Sequence, residues 1–426
     1  MKIKIENARV VDPANNVDQM TDLYIADGMI VSLGTGPEGF SADKVIDGKD
    51  QIVCPGLVDM RARLREPGFE YKATIASETQ AAAASGITTL CSPPDTIPVI
   101  DTPAVVELIR HRASAAGFAK IVVVGALTKN LAAKKISEMY ALKNAGCVGV
   151  GNALKPVADG LLMRRAMEYA ASHDLTVFLY AEDAFLRGDG CAHEGQMSVR
   201  LGLSGIPEIA ETVAVSRELA LIELTGVRAH FYGLSTAVSA RMIKRAQLEG
   251  LPVTADVAIS HLYMADIDIG EFDTFYNVRP PFRSQRDREG LRAAVSEHTI
   301  TAICSDHQPH EEDAKLGTFS DAEPGISCLE TLLPLVLRLV DDKLVSLSEA
   351  IASITHKPAD ILGINAGTLG IGEAADVCIF HPQNDWRVTK EKMWSEGKNT
   401  PYIGWEFSAK VSYTLLDGRI VYQDRL

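Results

Sequence analysis

Residues 54–68 read Cys54-Pro55-Gly56-Leu57-Val58-Asp59-Met60-Arg61-Ala62-Arg63-Leu64-Arg65-Glu66-Pro67-Gly68. The run predicts a short strand over 57–64. Residues two apart on a strand share a face, so Arg61 and Arg63 point the same way. A guanidinium keeps its proton at any accessible pH and has no lone pair to give a metal. Outward from this strand, short apolar segments alternate with amphipathic ones as far as about residue 365. Strands are predicted at 57–64, 87–92, 120–126, 148–152, 176–182, 229–235, 252–257 and 300–306, with helices between them at 75–84, 161–172, 208–224 and 237–249. Eight buried strands separated by helices predict an α/β fold, a (β/α)8 TIM barrel, whose functional residues belong at the C-terminal strand ends. A doubly wound sheet would alternate too, but the count and the flanking β segments favour the barrel.

Those flanking segments have a different style. Period-two strands are predicted at 2–7, 23–26, 29–33 and 44–47, and again at 376–380, 411–416 and 418–422. The Asp417-Gly418 pair is a hairpin signal. The two ends therefore predict one small β-sandwich domain built from both termini. The expected division is 1–53 and 366–426 for the two parts of that domain, and 54–365 for the barrel.

The chain has 426 residues, 46% apolar and 23% charged, which is ordinary globular composition with ample length for a large core. A formal net charge of −14 and the lack of any basic block argue against a nucleic-acid surface. Seven scattered cysteines without a Cys-x-x-Cys pair predict reduced thiols. The N-terminus has no signal-like apolar region, and no apolar run approaches a membrane span. A cytoplasmic protein with no membrane partner is the expectation.

The 54–68 stretch, with "Pro94-Asp95-Thr96-Ile97-Pro98", "Ala181-Glu182-Asp183", "Leu234-Ser235-Thr236", "Pro280-Pro281-Phe282-Arg283" and "Ser305-Asp306-His307-Gln308-Pro309-His310", resembles the dihydroorotase family of the amidohydrolase superfamily across essentially the whole chain. The resemblance implies an amidohydrolase-type barrel and a site in which divalent ions activate water and polarise a ring amide. It also implies where the ligands belong. The His-x-His of the first strand corresponds to Arg61 and Arg63, the fourth-strand carboxylate or modified lysine to Asn152, and the fifth- and sixth-strand histidines to Tyr180 and Gly233. Only Asp306 remains. One carboxylate falls short of the three protein ligands of a catalytic zinc. No cofactor is expected, and zinc enters only if an inactive reading is wrong. Asp306 is expected to be vestigial and ion-paired with Arg61 or Arg63, because a buried unpaired charge is costly.

In the family the arginine at position 65 holds the substrate carboxylate, and His310 has a substrate-binding counterpart. Asp95 stands where the family has asparagine, and Arg279 likewise, so Arg65, Asp95 and His310 are expected to be a vestigial recognition site. His230, Ser235 and Cys304 have structural explanations. The pattern resembles the inactive dihydroorotase homologues that accompany aspartate carbamoyltransferase in some bacteria, which implies a non-catalytic assembly subunit, itself expected to be a homo-oligomer. Two other functions fit parts of the sequence. One is a small-anion-binding protein using a net positive mouth of Arg61, Arg63, Arg65 and Arg279 against Asp95 and Asp306; the other is a divergent amidohydrolase acting on cyclic amides.

Overall fold

Eight parallel strands form the central sheet in chain order: Leu57–Asp59, Ile87–Ser92, Lys120–Ala126, Cys147–Gly151, Thr176–Leu179, Ala229–Phe231, Val253–Ala258 and Ala302–Cys304. The structure, a computed structural model, describes residues 1–424. Positions 425–426, the end of the expected C-terminal segment, lie outside the described residues. Each strand pairs in parallel with its sequence neighbour in the sheet. The two outermost strands meet past their regular ends, where Ala62 bridges His307 and the Arg63 N–H donates to the His307 carbonyl at 2.9 Å. This is the predicted (β/α)8 barrel, and its strands read as apolar runs because both faces are covered.

The first strand is shorter than its predicted 57–64. Beyond Asp59 the backbone alternates partners, with the Ala62 N–H on Cys91 and the Arg63 N–H on His307, and Arg65 turns out at φ 63°. The eighth strand, predicted over 300–306, is regular only over Ala302–Cys304. The Ser305 N–H donates to the Asp59 carboxylate (3.0 Å), and Asp306 takes φ 48°. The sixth likewise stops at Phe231, two residues before Gly233 at φ 66°. Every residue singled out at a strand end thus sits on backbone that has just left its ladder, free to aim a side chain across the mouth.

Helices follow the strands on the outside, among them Ile75–Ala84, Gly160–Ser172, Ile209–Thr225 and Ala237–Leu248. Thr74 caps the first of these by accepting the Ser77 N–H, the expected chemistry for a free helix start. The apolar run at 329–340 is a barrel helix, Leu329–Asp341, with Leu332, Leu335, Val336 and Leu339 fully buried. Inside the barrel, Val58, Met60, Cys91, Val124, Phe178, Tyr232, Ala302 and Cys304 form a closed layer under the mouth. Burying side chains of the larger kinds contributes about 1.5–3 kcal/mol each.

The terminal segments make one β-sandwich. Lys2–Asp12 pairs antiparallel with Val17–Ala26 and parallel with Lys44–Asp47 and Ile52–Pro55. Val377–His381 then adds antiparallel to Ile52–Pro55, with Cys378 opposite Cys54, and carries Lys410–Leu416 and Arg419–Gln423 beyond it. The last hairpin turns on Asp417 and Gly418, both at positive φ, as its two-residue loop demands. No helix among the described residues is long and apolar enough to cross a membrane.

Candidate functional site

Arg61 and Arg63 leave the first strand side by side and both reach Asp306. Arg61 Nε lies 2.8 Å and Arg63 Nη1 3.4 Å from the same Asp306 oxygen. Arg61 also brings Nη1 to 3.9 Å from Asp256 and lays its guanidinium 4.9 Å from the centre of the Tyr232 ring. Both arginines are buried. Burial opposes their charge, but the carboxylates outweigh it: Asp306 and Asp256 raise Arg61, and Asp95 and Asp306 raise Arg63. Asp256 is in turn held below the ordinary carboxylate range against its own burial, by Arg61 and by His230 at 3.1 Å. The pairing of Arg61 is mainly Coulombic, since its Nε and Nη2 find no aligned acceptor, whereas Arg63 donates from Nη1 to Asp306 and from Nε to Asp95.

The other ligand positions are engaged locally. Asn152 accepts from Thr128 Oγ1 and donates to the Lys155 carbonyl, both at 2.7 Å. Tyr180 donates to Glu182 (2.9 Å), stacks on Tyr232, and lies under Arg279, whose guanidinium binds Glu182 from the other side. Gly233 is empty space that Arg61 uses. A Cβ there would stand 2.8 Å from Arg61 Nη1 and 2.9 Å from Nη2, closer than side chains approach. The residues at 61 and 233 are therefore one steric unit.

The recognition half is arranged differently. Asp95 accepts from Arg63 Nε at 2.8 Å, so the carboxylate that stands where the family has asparagine is an internal partner of Arg63. Arg65 donates to the Pro309 carbonyl (2.8 Å) and brings Nη2 2.9 Å from His310 Nε2. Burial and then Arg63 push Arg65 down to about 10. His310 Nδ1 lies 3.1 Å from the buried Lys72 ammonium, and its Nε2 3.1 Å from the Pro324 carbonyl. Burial and the cations Arg65, Lys72 and Lys315 drive its pKa down to about 2, so the imidazole is neutral.

Sequence reasoning passed over Asp256, Tyr232, Lys72 and Glu78. Asp256 sits mid-strand in an apolar run, and that was its signal, because a carboxylate in such a place must be paired. The same holds for Asp59, which accepts from Ser305 and is pushed up to about 6 by burial. Glu78 has no comparable signal. It accepts from His307 (2.7 Å), Ser395 (2.7 Å) and the Glu396 N–H (3.1 Å), tying the turn after Asp306 to a C-terminal strap. His230, buried between Thr254 and Asp256, is structural.

Asp256 and Glu182 thus join Asp306 and Asp95 as partners of Arg61, Arg63 and Arg279, more counter-charge at the mouth than Asp95 and Asp306 supply alone. The cavity bounded by Met60, Arg61, Phe178, Tyr232 and Asp256 measures about 20 Å³, and the one beside Arg63 and Arg65 about 10 Å³. One water needs ~10–15 Å³, so neither admits a ring-sized ligand. The residues do not fit a divalent metal. Two positions carry protonated guanidiniums, one a committed amide, one a phenol bonded to Glu182, and one no side chain. Cys304 is a poor nucleophile, its thiol pushed up by burial. Ser235 is bound to Glu211 and Arg283. A concavity of about 890 Å³ between the helix Leu329–Asp341 and the C-terminal strands does not border these groups.

A family model described as Dihydro-orotase-like matches residues 50–239, and one described as Amidohydrolase family matches residues 331–422. A dihydroorotase-like protein of Pseudomonas aeruginosa is 48% identical over 99% of this chain and 100% of its own length. A dihydroorotase of Geobacter is 40% identical over 99% of this chain and 100% of its own. Among solved structures, the L-hydantoinase of Arthrobacter aurescens superposes with a TM-score of 0.88 at 22% identity, covering 99% of this chain and 96% of that one. That last likeness speaks for the fold alone.

Proposed function

This chain belongs to the dihydroorotase-like amidohydrolases, and on that premise we propose that it is a catalytically inactive member. Its role in this reading is a non-catalytic, cytoplasmic subunit that assembles with and stabilises the catalytic subunit of aspartate carbamoyltransferase in pyrimidine biosynthesis. The observation that carries the inactive part is Arg61. Its buried guanidinium, 2.8 Å from Asp306 and 3.9 Å from Asp256, puts a fixed cation among the groups that would serve a metal. Gly233 leaves room for it and supplies no ligand. A barrel that keeps its frame while its mouth is filled by its own side chains supports a role exerted through its surface. Function belongs to the site and not the fold, so the dihydroorotase names of relatives do not carry activity over.

The experiment is co-purification with aspartate carbamoyltransferase, together with elemental metal analysis and a dihydroorotase assay on the complex. A mixed complex, with the transcarbamoylase less stable when this chain is left out, is the expected result. Stoichiometric zinc with turnover of dihydroorotate would overturn the inactive reading and favour a divergent amidohydrolase acting on cyclic amides. Unchanged transcarbamoylase assembly would remove the subunit role. A small-anion function at the arginine pair draws no support from a cavity of about 20 Å³.

A further inference from the structure

Residues 311–325 cross the recognition half of the mouth and are tied down at one residue by two buried lysines. Lys72 Nζ lies 2.8 Å from the Glu323 carboxylate. Lys315 Nζ donates to the Glu323 carbonyl at 2.6 Å, and to the carbonyls of Thr274 and Asn277 at 3.2 and 3.3 Å. The second Glu323 oxygen stands 3.5 Å from His310 Nδ1. Glu311 is the other nearby carboxylate, 3.7 Å from Lys72, and that oxygen has no hydrogen-bond partner. Arg65, on the far side of His310, donates to the Pro309 carbonyl, lies against the imidazole, and forms no ion pair among the described residues. Lys72, Lys315 and Arg65 thus bring three cations together inside the protein. The chief counter-charge is a side chain that is itself 52% exposed and comes in from a surface loop.

We propose that this cluster is a small-carboxylate site whose resident ligand is the chain's own Glu323 side chain. A buried ammonium requires a counter-ion, and Lys72 takes its nearer one from the more exposed of its two carboxylate partners. While Glu323 is seated, the strap is shut and free carboxylates are excluded. When it leaves, the Lys72 ammonium presents the charge and the donors that a carboxylate from solution needs. Self-ligation of this kind keeps the buried ammonium paired and closed to free anions. It holds whether or not the transcarbamoylase complex forms, so the two claims fail separately.

The test is hydrogen–deuterium exchange of the full-length protein carrying Glu323→Ala, with sodium acetate as the probe and sodium chloride at matched ionic strength as its control. Amides of 311–325 are expected to exchange at least about tenfold faster than in the wild type, while barrel-strand amides keep their protection. Acetate, occupying the vacated carboxylate position, should restore protection of the strap saturably, and chloride should not. Glu323→Gln should loosen the strap to a similar degree without creating an acetate response. Adding Lys72→Met to Glu323→Ala should abolish the acetate effect. Unchanged exchange in Glu323→Ala, or restoration by chloride as good as by acetate, would overturn the proposal.

Discussion

The two halves of the barrel mouth are closed by different means. On the side where the family places its metal, the closing groups are rooted on strands: Arg61 and Arg63 converge on Asp306, with Asp256 and the Tyr232 face behind. On the recognition side, the buried cations Lys72 and Lys315 are satisfied from a loop, through Glu323. A dication can be replaced by a guanidinium only if the neighbours yield volume, and Gly233 yields it. A lost ligand needs less, because any carboxylate that arrives on a loop will serve. The first closure is part of the core and the second is hinged to the surface, so their variants should differ in size and kind.

Asp306→Ala should be the most damaging change, because it strips the shared partner from two buried guanidiniums at once. Breaking a buried pair by removing one side costs about 3–5 kcal/mol, read here as a lower urea midpoint with an unchanged slope. A loss below about 1 kcal/mol would mean that the pair is solvated and that the strand-rooted half is no tighter than the loop-rooted one. Next comes Gly233→Ala, expected to cost about 2–3 kcal/mol from its positive φ and from the approach to Arg61. Its steric part should vanish when Arg61→Ala is present. A double-mutant cycle should then show coupling of about 1 kcal/mol or more, whereas additive losses would break the steric unit.

This contrast also separates what the sequence made legible from what it did not. Barrel strands and the two-ended sandwich follow local rules of periodicity and turn chemistry, and the motifs quoted from 54–68 to 305–310 set their order. Strand ends were overrun at 57–64, 176–182, 229–235 and 300–306, since side-chain acceptors such as Asp59 and positive-φ residues such as Asp306 end a ladder without changing its apolar pattern. The expected closeness of Asp306 to the arginines could be argued from charge alone. That both reach one oxygen, that Asp95 serves Arg63, and that Asp256 stands behind Arg61 are facts of three-dimensional register. Glu323 and Lys72, more than two hundred residues apart, meet only through the barrel's closure.

A smaller effect belongs to the rim of the strand-rooted half. Tyr180→Phe removes the hydroxyl that donates to Glu182, yet Glu182 keeps Arg279 and Arg187. One hydrogen bond among several should be worth about 0.5–1.5 kcal/mol. A loss as large as that of Asp306→Ala, in the same urea titration, would show that Tyr180 holds up the whole mouth and not merely its edge.

The smallest effect at neutral pH, and the sharpest on acidification, should come from His310→Gln. A glutamine oxygen can still accept from Lys72, so at pH 7.5 the variant should lie within about 1 kcal/mol of the wild type. In the folded protein His310 takes its proton only at about 2, whereas the unfolded chain takes it near the ordinary histidine value of 6.5. Between those values the unfolded state binds more protons, so stability is fully present above about 6.5 and is lost as the pH falls. The loss approaches about 1.4 kcal/mol per pH unit for one such group. Asp59 works the other way, since its proton is retained in the fold up to about 6, but it does so in both proteins and cancels in their difference. Subtracting the two urea-derived stability curves should therefore leave a flat line above pH 7 and a descent of the wild type relative to the variant below 6.5. A difference that stays flat to pH 5 would mean that His310 is protonated in the fold, and that Glu323, rather than the neutral ring, is the group that answers it.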